Sequence, residues 1–458
     1  MSLTAAQQAA HATSRFGLGA KPNTLRQIGN DPQGWLAAQI GAPAETGTIL
    51  RGLPGRAALT EELAAFRESK RARKNKAADL STAVGRKDLQ QLVLNEINAR
   101  VQAALTTELP LQERLVRFWS NHFTVSVKRF VCAPFAGLME REAIRPHIFS
   151  PFETMLQAVA EHPAMLLYLD NATSIGPNSP MGERRGKGLN ENLAREILEL
   201  HTLGVDGGYS QTDVTAFARA LTGWTFVSPQ FRFLGNVGDF YFNERGHEPG
   251  TQTILSKPYA EAGVAQGKAV LRDLAQHPAT ARHLATKLAR HFISDEPPEE
   301  AINRLADVYR RSGGDLAAVT RALIAEPAAW EAPLTKVRST EDYVLATWRA
   351  LNINDPGERW IKSAYYYLGQ TPFTADSPAG WGDRASDWAG PDAVMKRITW
   401  ADAVCQRLPS RDQTDLVAFG QMVLGGLFNN ATAAAMTRAA SRPQALTLLL
   451  TSPEMMRR

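Results

Sequence analysis

The chain has 458 residues, 44% of them hydrophobic, enough for one large core or for two or three ordinary domains. Its 51 basic and 46 acidic residues leave a net charge of +5, an excess that permits an anionic partner without demanding one. Cys132 and Cys405 are far apart and form no C-x-x-C, which excludes a zinc ribbon and a disulfide framework and leaves open only a single bridge between them.

The opening stretch, MSLTAAQQAAHATSRFGLG, has neither a basic n-region nor an apolar h-region. The cytoplasm is therefore the expected compartment, with export beside a partner left open. No window approaches the roughly 18 apolar residues of a membrane span. Asp31 before Pro32 reads as an N-cap followed by proline at the first helical position, with Trp35, Leu36 and Ile40 as the apolar face and Gly41 as the stop. The basic run Arg67 to Lys76 reads as a solvated helix or loop face; it holds no aromatic residue to stack on bases, so nucleic acid is not an expected partner. Leu89, Val93, Ile97, Val101 and Leu105 recur every four residues and predict a long helix closing near Pro110. His-Pro occurs at 162–163 and again at 277–278, each time placing proline in a first helical turn. Ser210 with Asp213, and Ser339 with Asp342, carry the spacing of capping boxes.

Alternating runs of strand length are scarce. The predicted fold is mainly α, one large multi-helix domain over residues 1–458 with long irregular insertions and room for a short β-hairpin. Three segments rich in glycine or proline are too long for ordinary connections and read as functional loops or as disorder: Asn171 to Gly188, Thr225 to Gly267 and Gly369 to Asp392. The second holds Phe226, Phe231, Phe233, Phe240, Tyr241 and Phe242, and is expected to fold back over the helices as a lid or wall.

Polar residues concentrate between Leu189 and Trp224. Asn192, Arg195, Glu196 and Glu199 share one helical face opposite Leu193, Ile197 and Leu200, and Arg219 follows on a second short helix. Glu196 and Glu199 stand roughly 60° apart on the helix and could share a divalent metal or a substrate ammonium, or simply pair with Arg195 and Arg219. His201 points roughly 140° away from Glu196, so a metal there needs a distant ligand such as His122 or His247. His122 shares a face with Leu111, Leu115 and Phe118; it reads first as a core imidazole and second as an acid/base group. His247 lies in RGHEPG, where no helical face explains it. His283, Lys287 and His291 form a stripe read as surface or interhelical packing. GERRGKG (Gly182 to Gly188) is one residue short of a phosphate loop, and H-E-x-x-H and G-x-S-x-G are absent.

Several long strings together resemble one family. ERLVRFWSNHFTVS (Glu113 to Ser126), HPAMLLYLDN (His162 to Asn171), NENLAREILELHTLGVDGGYSQTDV (Asn190 to Val214), ARALTGW (Ala218 to Trp224) and HPATARHLATKLARHF (His277 to Phe292) are similar to the bacterial "domain of unknown function 1800" family. SRFGLG (Ser14 to Gly19) and PAGWGDRASDW (Pro378 to Trp388) extend the likeness over nearly the whole chain. Members have no generally assigned activity, but many are encoded beside a sulfatase-like protein, so the resemblance implies such a partner or a shared pathway. Many also carry export signals. In many members Asp follows the loop histidine and a lysine stands a few residues on; here those positions hold Glu248 and Gln252.

Two readings follow. In one, an enzyme has a polar pocket beneath Thr225 to Gly267: Glu196 or Glu199 acts as base or metal ligand, Asn192, Arg195 and Arg219 hold an anionic ligand, and His122 or His247 moves protons. In the other, a non-catalytic helical protein partners a sulfatase-like protein, and its charged cluster only fixes helices.

Overall fold

The computed structural model describes residues 3–43, 48–74, 84–185, 188–331, 334–408 and 415–458. Asn75 and Lys76 of the basic run, and Gly186 and Lys187 of GERRGKG, lie outside them. Helices dominate, as the apolar periodicity requires. Among the described residues, extended strands are confined to two antiparallel pairs in and beside the aromatic insertion. In the first, β1 (Trp224–Phe226) pairs with β2 (Phe240–Phe242); in the second, β3 (Gln252–Ile254) pairs with β4 (Lys257–Tyr259). The helices that position the site are α1 (Arg86–Thr106), α2 (Pro110–His122), α3 (Asn192–Glu196), α4 (Gln211–Ala220), α5 (Pro278–Phe292) and α6 (Thr340–Ala350).

Local chemistry explains the helix starts. The Asp31 carboxylate accepts from Gly34 N at 2.8 Å. Both His-Pro words do more than place proline: His162 Nδ1 accepts from Ala164 N, and His277 Nδ1 from Ala279 N, each at 3.1 Å. A cap of this kind stabilises a helix by about 1 kcal/mol. The Ser210–Asp213 box is complete, with the serine hydroxyl accepting from Asp213 N and Asp213 accepting from Ser210 N. Its second carboxylate oxygen accepts from Leu255 N at 2.7 Å, tying the insertion to α4. At Ser339 only half the box forms. Ser339 Oγ accepts from Asp342 N, while the Asp342 carboxylate turns inward to Arg114 and Arg458.

The largest core gathers Trp119, Phe123, Phe152 and Phe292 around α2 and α5. A second surrounds Tyr343, Trp348, Tyr365 and Trp400, and Phe373 packs against both. Cys132 belongs to the first core and Cys405 to a third; both are free and buried, so no bridge joins them. No described helix is long and apolar enough to cross a membrane.

Candidate functional site

A cavity of about 330 Å³ opens where α1, α2, α5 and α6 meet the segment Gly369 to Asp392. Seven Arg or Lys side chains line it against four carboxylates, so its wall is cationic at neutral pH. Spacing does the local work on α5: at i, i+3 and i+4, Lys287, Arg290 and His291 share one face. The wall segment is fastened to α2 by Asn121, whose amide donates to Trp381 O at 2.9 Å and accepts from Trp381 N at 2.8 Å. Gly380, at φ 82°, crosses the same helix end so closely that a Cβ would stand 2.5 Å from Asn121 O. Gln370 Oε1 accepts from Glu341 N at 2.8 Å and fixes the start of the segment.

Two charge networks meet in this wall. The first is a closed ring. Arg100 pairs with Glu140 at 2.7 Å and with Glu341, Arg117 pairs with Glu341 at 3.1 Å and Glu113 at 2.8 Å, and Arg145 closes the circuit between Glu113 and Glu140. Three cations meet three anions, and the ring is neutral. Burial alone would raise the Glu113 carboxyl, but Arg145 and Arg117 overcome it and hold its pKa at about 2.

The second network is open. Asp342 lies between Arg114 Nη1 at 3.2 Å and Arg458 Nε at 3.0 Å. Asp383 takes His291 Nδ1 at 2.9 Å and Lys336 Nζ at 3.3 Å. Arg114 Nη1 donates toward His291 Nε2 at 3.4 Å, which assigns the ring proton to Nδ1. Burial brings the His291 pKa down to about 4 even though Asp383 opposes it, so this imidazole is neutral and both its nitrogens are engaged. Against burial, which would raise it, His291, Arg458 and Lys336 hold the Asp383 carboxyl far below the usual range.

Three cationic groups keep unused capacity. Arg114 Nη2 and Arg290 Nε are buried with no hydrogen-bond partner among the described residues. Lys287 lines the cavity with no hydrogen bond or ion pair among the described residues, and burial, assisted by Arg290 and opposed by Asp383, brings its amine down to about 8. A buried unpaired donor costs roughly 1–3 kcal/mol, which a ligand oxygen would return.

The residues singled out from sequence are distributed differently. His122 lines the cavity, but its ring sits among Phe118, Trp119, Phe123 and Phe152, and Nε2 contacts His201 O at 3.1 Å. Burial, then the neighbouring Lys287, push its pKa well below normal. Asn192 is exposed at the start of α3, and Arg195 pairs with Glu191 at 3.0 Å and with Gln211 at 2.9 Å. Glu196 is half-buried; burial and then Glu199 raise its pKa. Among the described residues, no hydrogen bond or ion pair joins Glu196 or Glu199 to Arg195, Arg219, His122 or His247. His247 is buried beside α4, with Nδ1 3.0 Å from Thr222 O, and Glu248 accepts from Asn178 N at 2.9 Å. That loop ties Asn171 to Gly188 onto the insertion. None of Asn192, Arg195, Glu196, Glu199, Arg219 and His247 lines the cavity, and its wall is Gly369 to Asp392 rather than Thr225 to Gly267. Among the described residues, no group of three or more His, Cys, Asp or Glu side chains is placed to hold a metal ion.

The stripe on α5 divides. His283 Nε2 meets Leu200 O at 3.1 Å as interhelical packing, whereas Lys287 and His291 face the cavity. Sequence reasoning passed over Arg114, Lys287, Arg290, Asp342, Asp383 and Arg458. The available signals were the three charges of ERLVR on a helix with an aromatic face and the long glycine-rich segment that carries Asp383.

No curated protein and no solved structure matches the chain. One family model does, described as "Protein of unknown function (DUF1800)", over residues 11–457. With nearly its whole length matched, and with the helices and the cavity wall inside that span, the chain belongs to this family.

Proposed function

We propose that the protein binds a small anionic molecule in the cavity between α2, α5 and α6, as an enzyme-like ligand-binding protein. The observation that carries this reading is the pair of buried guanidinium nitrogens without partners, Arg114 Nη2 and Arg290 Nε, in a wall with a cationic surplus. Planar guanidinium groups match carboxylate, sulfate and phosphate oxygens in geometry and charge. Asp342 and Asp383 hold Arg114, His291 and Arg458 in place, so these acids orient the site and do not compete for protons near neutral pH. The test is thermal unfolding against a panel of phosphate, sulfate and small mono- and dicarboxylates. At least one anion is expected to raise Tm in a saturable way, and Arg290→Gln to abolish the rise. A panel without effect, or an undiminished response in the variant, would overturn the reading.

A second reading has its own observation. Phe231 and Phe233 stand 53% and 79% exposed on the turn Pro229–Leu234, with ring centroids 6.0 Å apart. Exposed paired aromatics serve protein contacts, and a sulfatase-like protein is the partner this reading proposes. Co-purification lost in Phe231→Ser with Phe233→Ser would support it; unchanged recovery would remove it.

A further inference from the structure

Among the described residues Lys287 is the one lysine lining the cavity, and like Arg290 it is paired with no carboxylate. Its neighbours differ from it in kind. Arg114 is committed to Asp342 through Nη1 and to Gly17 O through Nε, with Nη2 left over; Arg290 Nε is left over on the same helix face. An unpaired amine in a cavity that two incompletely paired arginines also line is poorly explained by simple anion binding, for which a third guanidinium would serve better. A half-buried amine with no fixed partner among the described residues, near the charge of Arg290, can act as a nucleophile toward carbonyl compounds.

We propose that Lys287 is an imine-forming residue for a small 2-oxo acid, its Nζ adding to the carbonyl carbon while Arg114 and Arg290 hold the adjacent carboxylate. The inference rests on the anion-binding reading and names the ligand class for it. In the step, the Nζ lone pair forms a C–N bond and the carbonyl oxygen takes up one amine hydrogen. The C–O bond then breaks and the hydroxyl departs as water with the second amine hydrogen, so the step needs no oxidant or reductant. The neutral imine then takes one proton from solvent, and Asp383, whose charge already favours a proton on Lys287, stabilises the resulting iminium. A cavity of about 330 Å³ has room for roughly ten waters, more than a three-carbon oxo acid displaces. With its pKa near 8, Lys287 offers on the order of a hundredfold more free amine at pH 8 than an ordinary lysine.

Reductive trapping tests this. The full chain is incubated at pH 8 with pyruvate or glyoxylate and cyanoborohydride, and intact mass and peptide mapping locate the adduct. One adduct per chain is expected, on Lys287, and its loss in Lys287→Arg and Lys287→Met, with unchanged circular dichroism confirming that both variants fold. No adduct, or adducts spread over surface lysines and unaffected by the substitutions, would overturn the imine. Lactate, which carries the carboxylate but no carbonyl, is titrated in parallel. Lactate binding without a pyruvate adduct removes the imine and leaves anion binding standing, whereas loss of both removes both.

Discussion

Glu341 and Asp342 are adjacent on α6, yet they serve two networks of opposite character. Glu341 belongs to the closed ring of three arginines and three glutamates, in which every charge has an opposite neighbour on either side. Asp342 belongs to the open cluster, where Arg114, Arg290 and Lys287 exceed what the aspartates can occupy. A neutral, completed ring has nothing left to offer a ligand; its work is to hold α1, α2 and α6 together. The open cluster leaves donors without partners among the described residues, and these are what the proposed anion would engage. Charge density alone does not mark a site, and the mismatch between donors and acceptors does.

The largest effect should come from opening the ring. Glu113→Ala leaves Arg117 and Arg145 buried without their shared carboxylate, and a loss of about 3–5 kcal/mol in denaturant-derived stability is expected. A loss under about 1 kcal/mol would mean that the ring does not hold the helices.

Acid should then act in two steps, the first from buried histidines and the second from buried carboxylates. His201, His283 and His291 are held near 3, 4 and 4, with burial the leading cause, against an unfolded value near 6.5. Between those values the unfolded chain binds more protons, so their contribution is fully present above pH 6.5 and is lost as pH falls toward 4. Glu113, near 2 when folded, keeps its contribution down to about pH 4.5 and loses it below. Tm should therefore fall first between pH 6.5 and 4, by the equivalent of a few kcal/mol, and again below 4.5. A flat Tm from pH 7 to 5 would contradict the buried neutral histidines. Smaller still, Gly380→Ala should cost about 1–3 kcal/mol from its left-handed backbone and its approach to Asn121, and should weaken anion binding by loosening the cavity wall. Arg290→Gln breaks no pair and removes a buried donor without a partner, so stability should hold or rise, by about 1–3 kcal/mol at most, while the anion response is lost.

Most of the fold was legible because helix signals are local. Apolar spacing and caps at Asp31, Ser210 and the two His-Pro words act within four residues of each start. The polar face of Asn192, Arg195, Glu196 and Glu199 was equally visible, and the structure shows why: Arg195 finds Glu191 and Gln211 close by in sequence. The cavity was hidden for the opposite reason. Glu113, Arg114 and Arg117 look like an ordinary charged helix face until Arg145, Glu341 and Asp342 arrive from far along the chain. Ser339 and Asp342 carried a capping signal whose second half is spent on the site, so the motif was read correctly only for its serine. Gly369 to Asp392 stood out as a loop, but only its docking on Asn121 reveals it as the cavity wall.

The most direct test of the open cluster is to see an anion in it. Crystals of the protein soaked in selenate, measured at the selenium edge, should show an anomalous peak at about 4 Å from Arg114 Nη2 and Arg290 Nε, an oxygen lying between. The peak should be absent from Arg290→Gln crystals treated in the same way. Peaks confined to surface lysines, with the cavity holding only water, would contradict the claim that its unpaired donors are kept for an anionic ligand.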